Sequence, residues 1–92
     1  MDVLDWDEDK SQLLKKTRGL SLEEVSKLLQ TSNYVLIRKN DTPEQWLAIG
    51  FVDGRLISLV YEERFEDEQE YIRLITYWDS TKREREIYER KN

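Results

Sequence analysis

Four arginines, Arg38, Arg55, Arg64 and Arg73, fall in segments that read as β-strands. Arg73 alternates with Tyr71, Ile75 and Tyr77, so its charge shares a sheet face with aromatic and aliphatic side chains, a position that needs a compensating partner. A guanidinium so placed can clamp a phosphate through parallel N–H donors or stack on a nucleobase. It can equally serve as a cross-strand partner of Glu62, Glu63 or Glu70. Arg64 ends the preceding strand, just before an acidic stretch, and Arg55 follows a turn and is expected to be exposed. Two further basic clusters lie on helical segments. Lys15, Lys16 and Arg18 close the first helix, where cations suit the negative end of the dipole; they could also form part of a phosphate-contacting patch. Lys82, Arg83, Arg85, Arg90 and Lys91 are interrupted by Glu84, Glu86 and Glu89, the pattern of an exposed, ion-paired helix.

Much other chemistry is excluded. The 92 residues contain no Cys and no His, which removes disulfides, thiolate nucleophiles, the commonest general base and the commonest zinc ligand. The carboxylate runs at Asp5 to Asp9 and Glu66 to Glu68 lack the alternation and glycine of a calcium loop and read as solvated surface. No nucleophile elbow, phosphate-binding glycine loop or zinc spacing occurs, so no metal or cofactor is expected. One reaction survives this inventory. RNA can be cleaved by its own 2′-hydroxyl, and a protein then has to orient the strand, stabilise phosphorane charge and assist proton transfer. Arg and Lys can do the second task, and Tyr, Glu or Lys the third.

The chain is long enough for one small domain, residues 1–92. Apolar and charged residues each make up 38%, so a modest core must sit under an ionic surface. The net charge of −5 gives the domain no general attraction to phosphate backbones, and nucleic acid would need a local basic patch. No apolar run approaches the roughly 20 residues that span a bilayer. The acidic N-terminus argues against a leader, and a cytoplasmic protein is expected.

The elements that must position these residues follow from pattern. Met1 to Trp6 reads as a short edge strand. Asp7 is an N-cap for a helix running to about Thr17 and stopping near Gly19. Ser21-x-x-Glu24 is a capping box flanked by the staple pair Leu20 and Val25, and Leu22, Val25, Leu28 and Leu29 share one face of the helix it opens. Strands are predicted over Tyr34 to Arg38, Trp46 to Val52 and Arg55 to Glu63. Asn40 to Pro43 forms a turn between the first two, and a type I′ turn at Asp53-Gly54 joins the second and third. Phe65 to Glu70 is too acidic for a sheet interior and reads as an exposed loop. Tyr71 to Trp78 is the last strand, and Thr81-x-x-Glu84 caps a helix over Ser80 to Lys91. The class is α+β: two N-terminal helices, a largely antiparallel sheet of four to five strands, and a C-terminal helix.

In order along the chain, several segments resemble the BrnT-like family, small toxins of bacterial type II toxin–antitoxin systems with a RelE-like fold. Trp6-Asp7 and Lys10 are similar to the family's opening W-D-x-x-K. Gly19 to Val25 resembles G-V-S-F-E-E-A, Glu44 to Gly50 resembles E-R-W-x-x-I-G, and Val60 to Arg64 resembles V-V-Y-T-E-R. Arg73-Leu74-Ile75, Thr81, Glu84 and Tyr88 follow R-I-I-S-A-R-x-A-T-x-x-E-x-x-x-Y. The chain departs from the pattern at Leu14, at Thr17-Arg18-Gly19, at Gln45 and at Trp78, where the family has Asn, K-H-G, Arg and Arg. Trp78 in that place either stacks on a base or fills a groove.

The resemblance implies a ribonuclease that acts without metal and is neutralised by a cognate antitoxin, with DNA bound only through the antitoxin and no membrane partner. Carried over, the catalytic candidates are Arg64 and Arg73 for phosphate charge. Lys16 is the candidate for positioning the RNA backbone, and Tyr61 for proton transfer. The departures support an alternative, a catalytically degenerate homologue that acts as a protein-binding module.

Overall fold

A computed structural model describes residues 3–41 and 44–91, without the side chains of Asn40 and Asp41. The expected turn residues Thr42 and Pro43 lie outside the described residues. The element order is β1 (Val3–Asp5), α1 (Glu8–Arg18), α2 (Leu22–Val25) running into a 3-10 turn (Ser26–Gln30), β2 (Val35–Asp41), β3 (Glu44–Val52), β4 (Arg55–Glu66), β5 (Gln69–Asp79) and α3 (Lys82–Lys91). The five strands form one mixed sheet in the order β1-β5-β4-β3-β2. β2 to β5 make an antiparallel meander, and β1 lies parallel to β5 at one edge.

Local signals explain most boundaries. The Asp7 carboxylate accepts from the backbone N–H groups of Asp9 and Lys10, and Gly19 closes α1 at φ 96°, a left-handed conformation that glycine adopts without strain. The Ser21/Glu24 capping box forms in both directions. The helix it opens keeps α geometry only to Val25 and then tightens to 3-10, so the second predicted helix is shorter than its apolar pattern suggested. Buried Leu28 holds that turn against β3: a Cβ added at Gly50 would stand 3.2 Å from the Leu28 side chain and 3.1 Å from Tyr34.

The acidic stretch is not a loop. β4 continues to Glu66 and β5 starts at Gln69, joined by a two-residue turn in which Asp67 and Glu68 both have positive φ, as in type I′. The prediction assumed a strand inside the sheet. Past Arg64 and Tyr71 the hairpin has no further strand beside it among the described residues, and residues 63–70 are exposed, so carboxylates can line it at little desolvation cost.

The sheet buries both faces, unequally. One face packs beneath α1, α2 and the 3-10 turn, in a cluster that includes Leu14, Leu22, Val25, Leu28, Leu59, Leu74 and Tyr77. Tyr77 is fully buried; its hydroxyl donates to the Leu20 carbonyl at 2.7 Å and accepts from the Leu20 N–H at 3.0 Å. The other face carries Leu47, Ile49, Leu56 and Val60, with Trp78, Ile87 and Tyr88 packed against them. α3 covers this second cluster and leaves the rest of its face open.

Candidate functional site

On the open part of that second face, register aligns four polar side chains across four strands. Gln45 on β3 pairs with Glu62 on β4, Glu62 with Arg73 on β5, and Arg73 with Asp5 on β1. One position further along, Arg64 pairs with Tyr71. Residues paired across a ladder point to the same side, so Asp5, Gln45, Glu62, Arg64, Tyr71 and Arg73 share one surface.

Glu62 is the centre of this group. Its side chain is only 8% exposed, and it accepts from the Gln45 amide at 2.7 Å and from Arg64 Nε and Nη2 at 2.9 and 2.5 Å. The Gln45 hydrogen bond, opposed by burial and helped by Arg64 and the nearby Arg73, holds the Glu62 carboxyl below the usual carboxylate range. Arg64 is correspondingly raised, first by its bond to Glu62, against desolvation, and then by Tyr71. Arg73 does not bond Glu62; it donates to Asp5, whose side chain is 47% exposed. The Tyr71 hydroxyl donates to Glu66 at 3.1 Å.

A cleft of about 460 Å³ opens on the helix-covered side of the sheet, between the 3-10 turn and the β4–β5 hairpin. Its walls include Leu29, Tyr34, Tyr61, Phe65 and Ile72, and Arg64 stands at its margin with Glu63 and Glu70.

The four residues singled out from sequence are therefore distributed as follows. Arg64 and Arg73 share the open face, on adjacent strands. Tyr61 points to the opposite face, 5% exposed within the helix-covered core, and meets Arg64 only along the cleft. Lys16 lies exposed on α1, the helix that covers that opposite face, away from both arginines. Its cluster mates are structural: Lys15 donates to Glu24 at 2.8 Å, and Arg18 donates to the Tyr77 carbonyl. The other strand arginines also have carboxylates, Arg38 with Glu44 at 3.3 Å and Arg55 with Asp79 at 2.9 Å.

Trp78 is partly buried against the second cluster. Its indole N–H donates to Glu84 Oε1 at 2.9 Å, and the same oxygen accepts from the buried Ser58 hydroxyl and the Thr81 backbone N–H, each at 2.9 Å. The Glu84 N–H returns a bond to the Thr81 hydroxyl at 3.2 Å, completing the expected capping box. Burial pushes the Glu84 carboxyl up, but the Thr81 backbone, Trp78 and Ser58 together outweigh it, and the net direction is down. Lys39, at the irregularity in β2 between Arg38 and Asn40, lays its ammonium over the exposed side of the Trp78 ring, 5.2 Å from the centroid.

Sequence reasoning gave Glu62 only as one of three possible cross-strand partners of Arg73, and it missed Gln45 and Asp5. Gln45 was within reach: the tight turn at Asp53-Gly54 fixes the β3–β4 register and places Gln45 opposite Glu62. Asp5 was not, because nothing local sets the register of a parallel pair separated by most of the chain.

No curated protein matches the chain. The family model for the BrnT ribonuclease toxin of type II toxin–antitoxin systems matches residues 6–84, from the Trp6 that precedes α1 to the Glu84 that caps α3. That span takes in Arg64, Arg73 and the whole polar row except Asp5, and the chain belongs to the BrnT family of ribonuclease toxins of type II toxin–antitoxin systems.

Proposed function

We propose that this protein cleaves RNA without a metal ion on the open sheet face, with Arg64 and Arg73 gripping one phosphate and stabilising the charge that builds on it. The observation that carries this reading is the placement of two guanidiniums on adjacent strands of one uncovered surface, Arg64 held by the buried Glu62 carboxylate and Arg73 only by the half-exposed Asp5. In the reaction the 2′-oxygen of a nucleotide attacks its own 3′-phosphorus and the 5′-oxygen of the next nucleotide leaves. One proton leaves the 2′-hydroxyl and one is delivered to the departing oxygen. The negative charge gathered on the phosphorane is what preorganised guanidiniums stabilise.

Arg73 is available for this task because its partner is exchangeable. Ion pairs this exposed contribute at most about 1 kcal/mol, so an RNA phosphate can displace Asp5 at small cost. Tyr61, the candidate for proton transfer, faces the other side of the sheet and can act only on a nucleotide that reaches into the cleft it lines with Arg64. Lys16, across the sheet, would contact the RNA backbone away from the reacting phosphate.

The acidic composition is compatible with an RNA ligand because the charge is localised. The exposed carboxylates Glu63, Glu66, Asp67, Glu68 and Glu70 of the hairpin account by themselves for the chain's net charge of −5. The remainder is balanced, and RNA would approach the open face from the α3 side, away from the hairpin. The same reading takes the architecture as RelE-like, places the activity in the cytoplasm, and has a cognate antitoxin neutralise the toxin by covering this face, with DNA contacted only through the antitoxin. No described helix is long and apolar enough to cross a membrane.

Induction in bacteria tests the proposal, with growth and RNA integrity followed; the purified protein is then assayed on RNA in the presence of EDTA. Growth arrest with RNA cleavage that survives chelation is the expected result. Intact RNA in both assays would overturn it. A second reading, a catalytically degenerate homologue that binds protein, is favoured by one observation: Arg64 and Arg73 are both engaged by carboxylates and Trp78 is committed to Glu84. Complex formation with the antitoxin and no RNA cleavage would select it.

A further inference from the structure

Trp78 and Lys39 form an arrangement that the catalytic reading does not use. The Trp78 ring is fixed on its inner side by Val60 and its neighbours and at its nitrogen by Glu84. Its outer side is covered by the Lys39 ammonium. Among the described residues Lys39 has no carboxylate partner, unlike Arg38, Arg55, Arg64 and Arg73. Both side chains lie on the face that carries Arg73. Along β5, Ile75 and Thr76 both lie between Arg73 and Trp78 on that face, so Trp78, opposite Ser58, stands two same-face ladder positions from Arg73, opposite Glu62. The β2 irregularity at Lys39 is the kind of bulge that re-aims a side chain.

A rigid aromatic plane under an ammonium, two same-face ladder positions from an exposed arginine, has the parts of a single-strand nucleotide subsite. A base is a neutral π-face attached to an anion. It can replace the ammonium on the indole, and the displaced ammonium then has the flanking phosphate as a partner in place of a ring quadrupole. Either exchange alone would leave a group without its partner; made together, both are satisfied.

We infer that Trp78 and Lys39 form an RNA subsite on the same face as the cleavage site and a short way along the strand from it, Trp78 stacking one base and Lys39 holding its phosphate. This rests on the reading of the open face as the RNA site. The subsite is sequence-tolerant, since every base offers a π-face, and it makes the protein prefer unpaired RNA.

The test uses a short single-stranded 2′-O-methyl RNA oligonucleotide, which cannot be cleaved, and measures its affinity by fluorescence anisotropy over a series of salt concentrations. Lys39→Ala, an exposed position, should fold normally and lower the slope of log affinity against log salt by about 0.7, the loss of one single-strand phosphate contact. Trp78→Leu should weaken binding at least about five-fold, the low end for losing one stacked base, and leave the slope unchanged. Because Trp78→Leu also loosens α3, Lys39→Ala decides the case should the tryptophan variant fail to fold. A wild-type affinity and slope in Lys39→Ala, alongside lost binding in Arg73→Ala, would overturn the subsite and leave the cleavage site standing. Absence of oligonucleotide binding by the wild-type protein would overturn both.

Discussion

Glu62 and Arg73 stand opposite one another across the β4–β5 ladder, yet each bonds elsewhere, Glu62 with Arg64 and Gln45 and Arg73 with Asp5. The pair is thus held apart by neighbours on both sides. A buried carboxylate keeps two cations on one surface without fully neutralising either, because Arg64 and Arg73 retain 44% and 29% side-chain exposure. That balance makes the face able to take an anion, and the first prediction tests it.

Arg64→Ala and Arg73→Ala should each lower RNA cleavage by about 10²- to 10³-fold, the cost of removing one donor aimed at developing charge. Stability should change little for Arg73, whose partner is exposed. Single-turnover cleavage and thermal unfolding of each variant check both parts. Asp5→Asn should keep or raise RNA affinity, since it frees Arg73 without disturbing Glu62.

Glu84→Ala should destabilise the protein by about 2 kcal/mol, combining a lost helix cap with hydrogen bonds to a charged acceptor. The reason is that one carboxylate serves the Thr81 N–H, the Trp78 indole and the buried Ser58 hydroxyl at once. Urea unfolding measures the loss, and a red shift of tryptophan emission should accompany it as Trp78 gains water.

Tyr77→Phe should cost about 1–3 kcal/mol although it deletes a single oxygen, because the N–H and carbonyl of Leu20 would both be left buried without partners. Chemical denaturation should show the shift in midpoint with an unchanged slope.

Acid should unfold the protein through its depressed carboxylates. Glu24 is lowered from 4.5 to about 2, first by its bond with Lys15 and then by the Ser21 backbone, and Glu62 and Glu84 are also lowered. A carboxyl depressed in the folded state adds stability above its unfolded value and loses it as pH falls through the folded value. The melting temperature should therefore be level from neutral pH to about 5 and fall between about 4.5 and 2. Lys15→Ala should shrink the part of that fall due to Glu24, and calorimetry across pH measures it.

The sequence by itself determined the local structure and the family. Capping boxes at Ser21/Glu24 and Thr81/Glu84, the stop at Gly19 and the turn at Asp53-Gly54 are short-range chemistry, and all form as read. The order of elements followed, as did the family frame that marks Arg64 and Arg73. It misread the acidic segment as a loop, because β-propensity weighs carboxylates as though they were inside a sheet. Only the tertiary structure decided where that segment ends the sheet, leaving its charges in water. Only the tertiary structure set β1 parallel to β5, which supplies Asp5 to Arg73 across 68 positions of chain. It also shifted the β4–β5 register between Val60 and Tyr61, so that Arg73 and Tyr77 point to opposite faces despite their even spacing. Alternation along a strand predicts a face only while the ladder is regular, and an extra residue in one strand reverses it. Which residues face one another is a property of register, and register is fixed by contacts between segments that no local pattern contains.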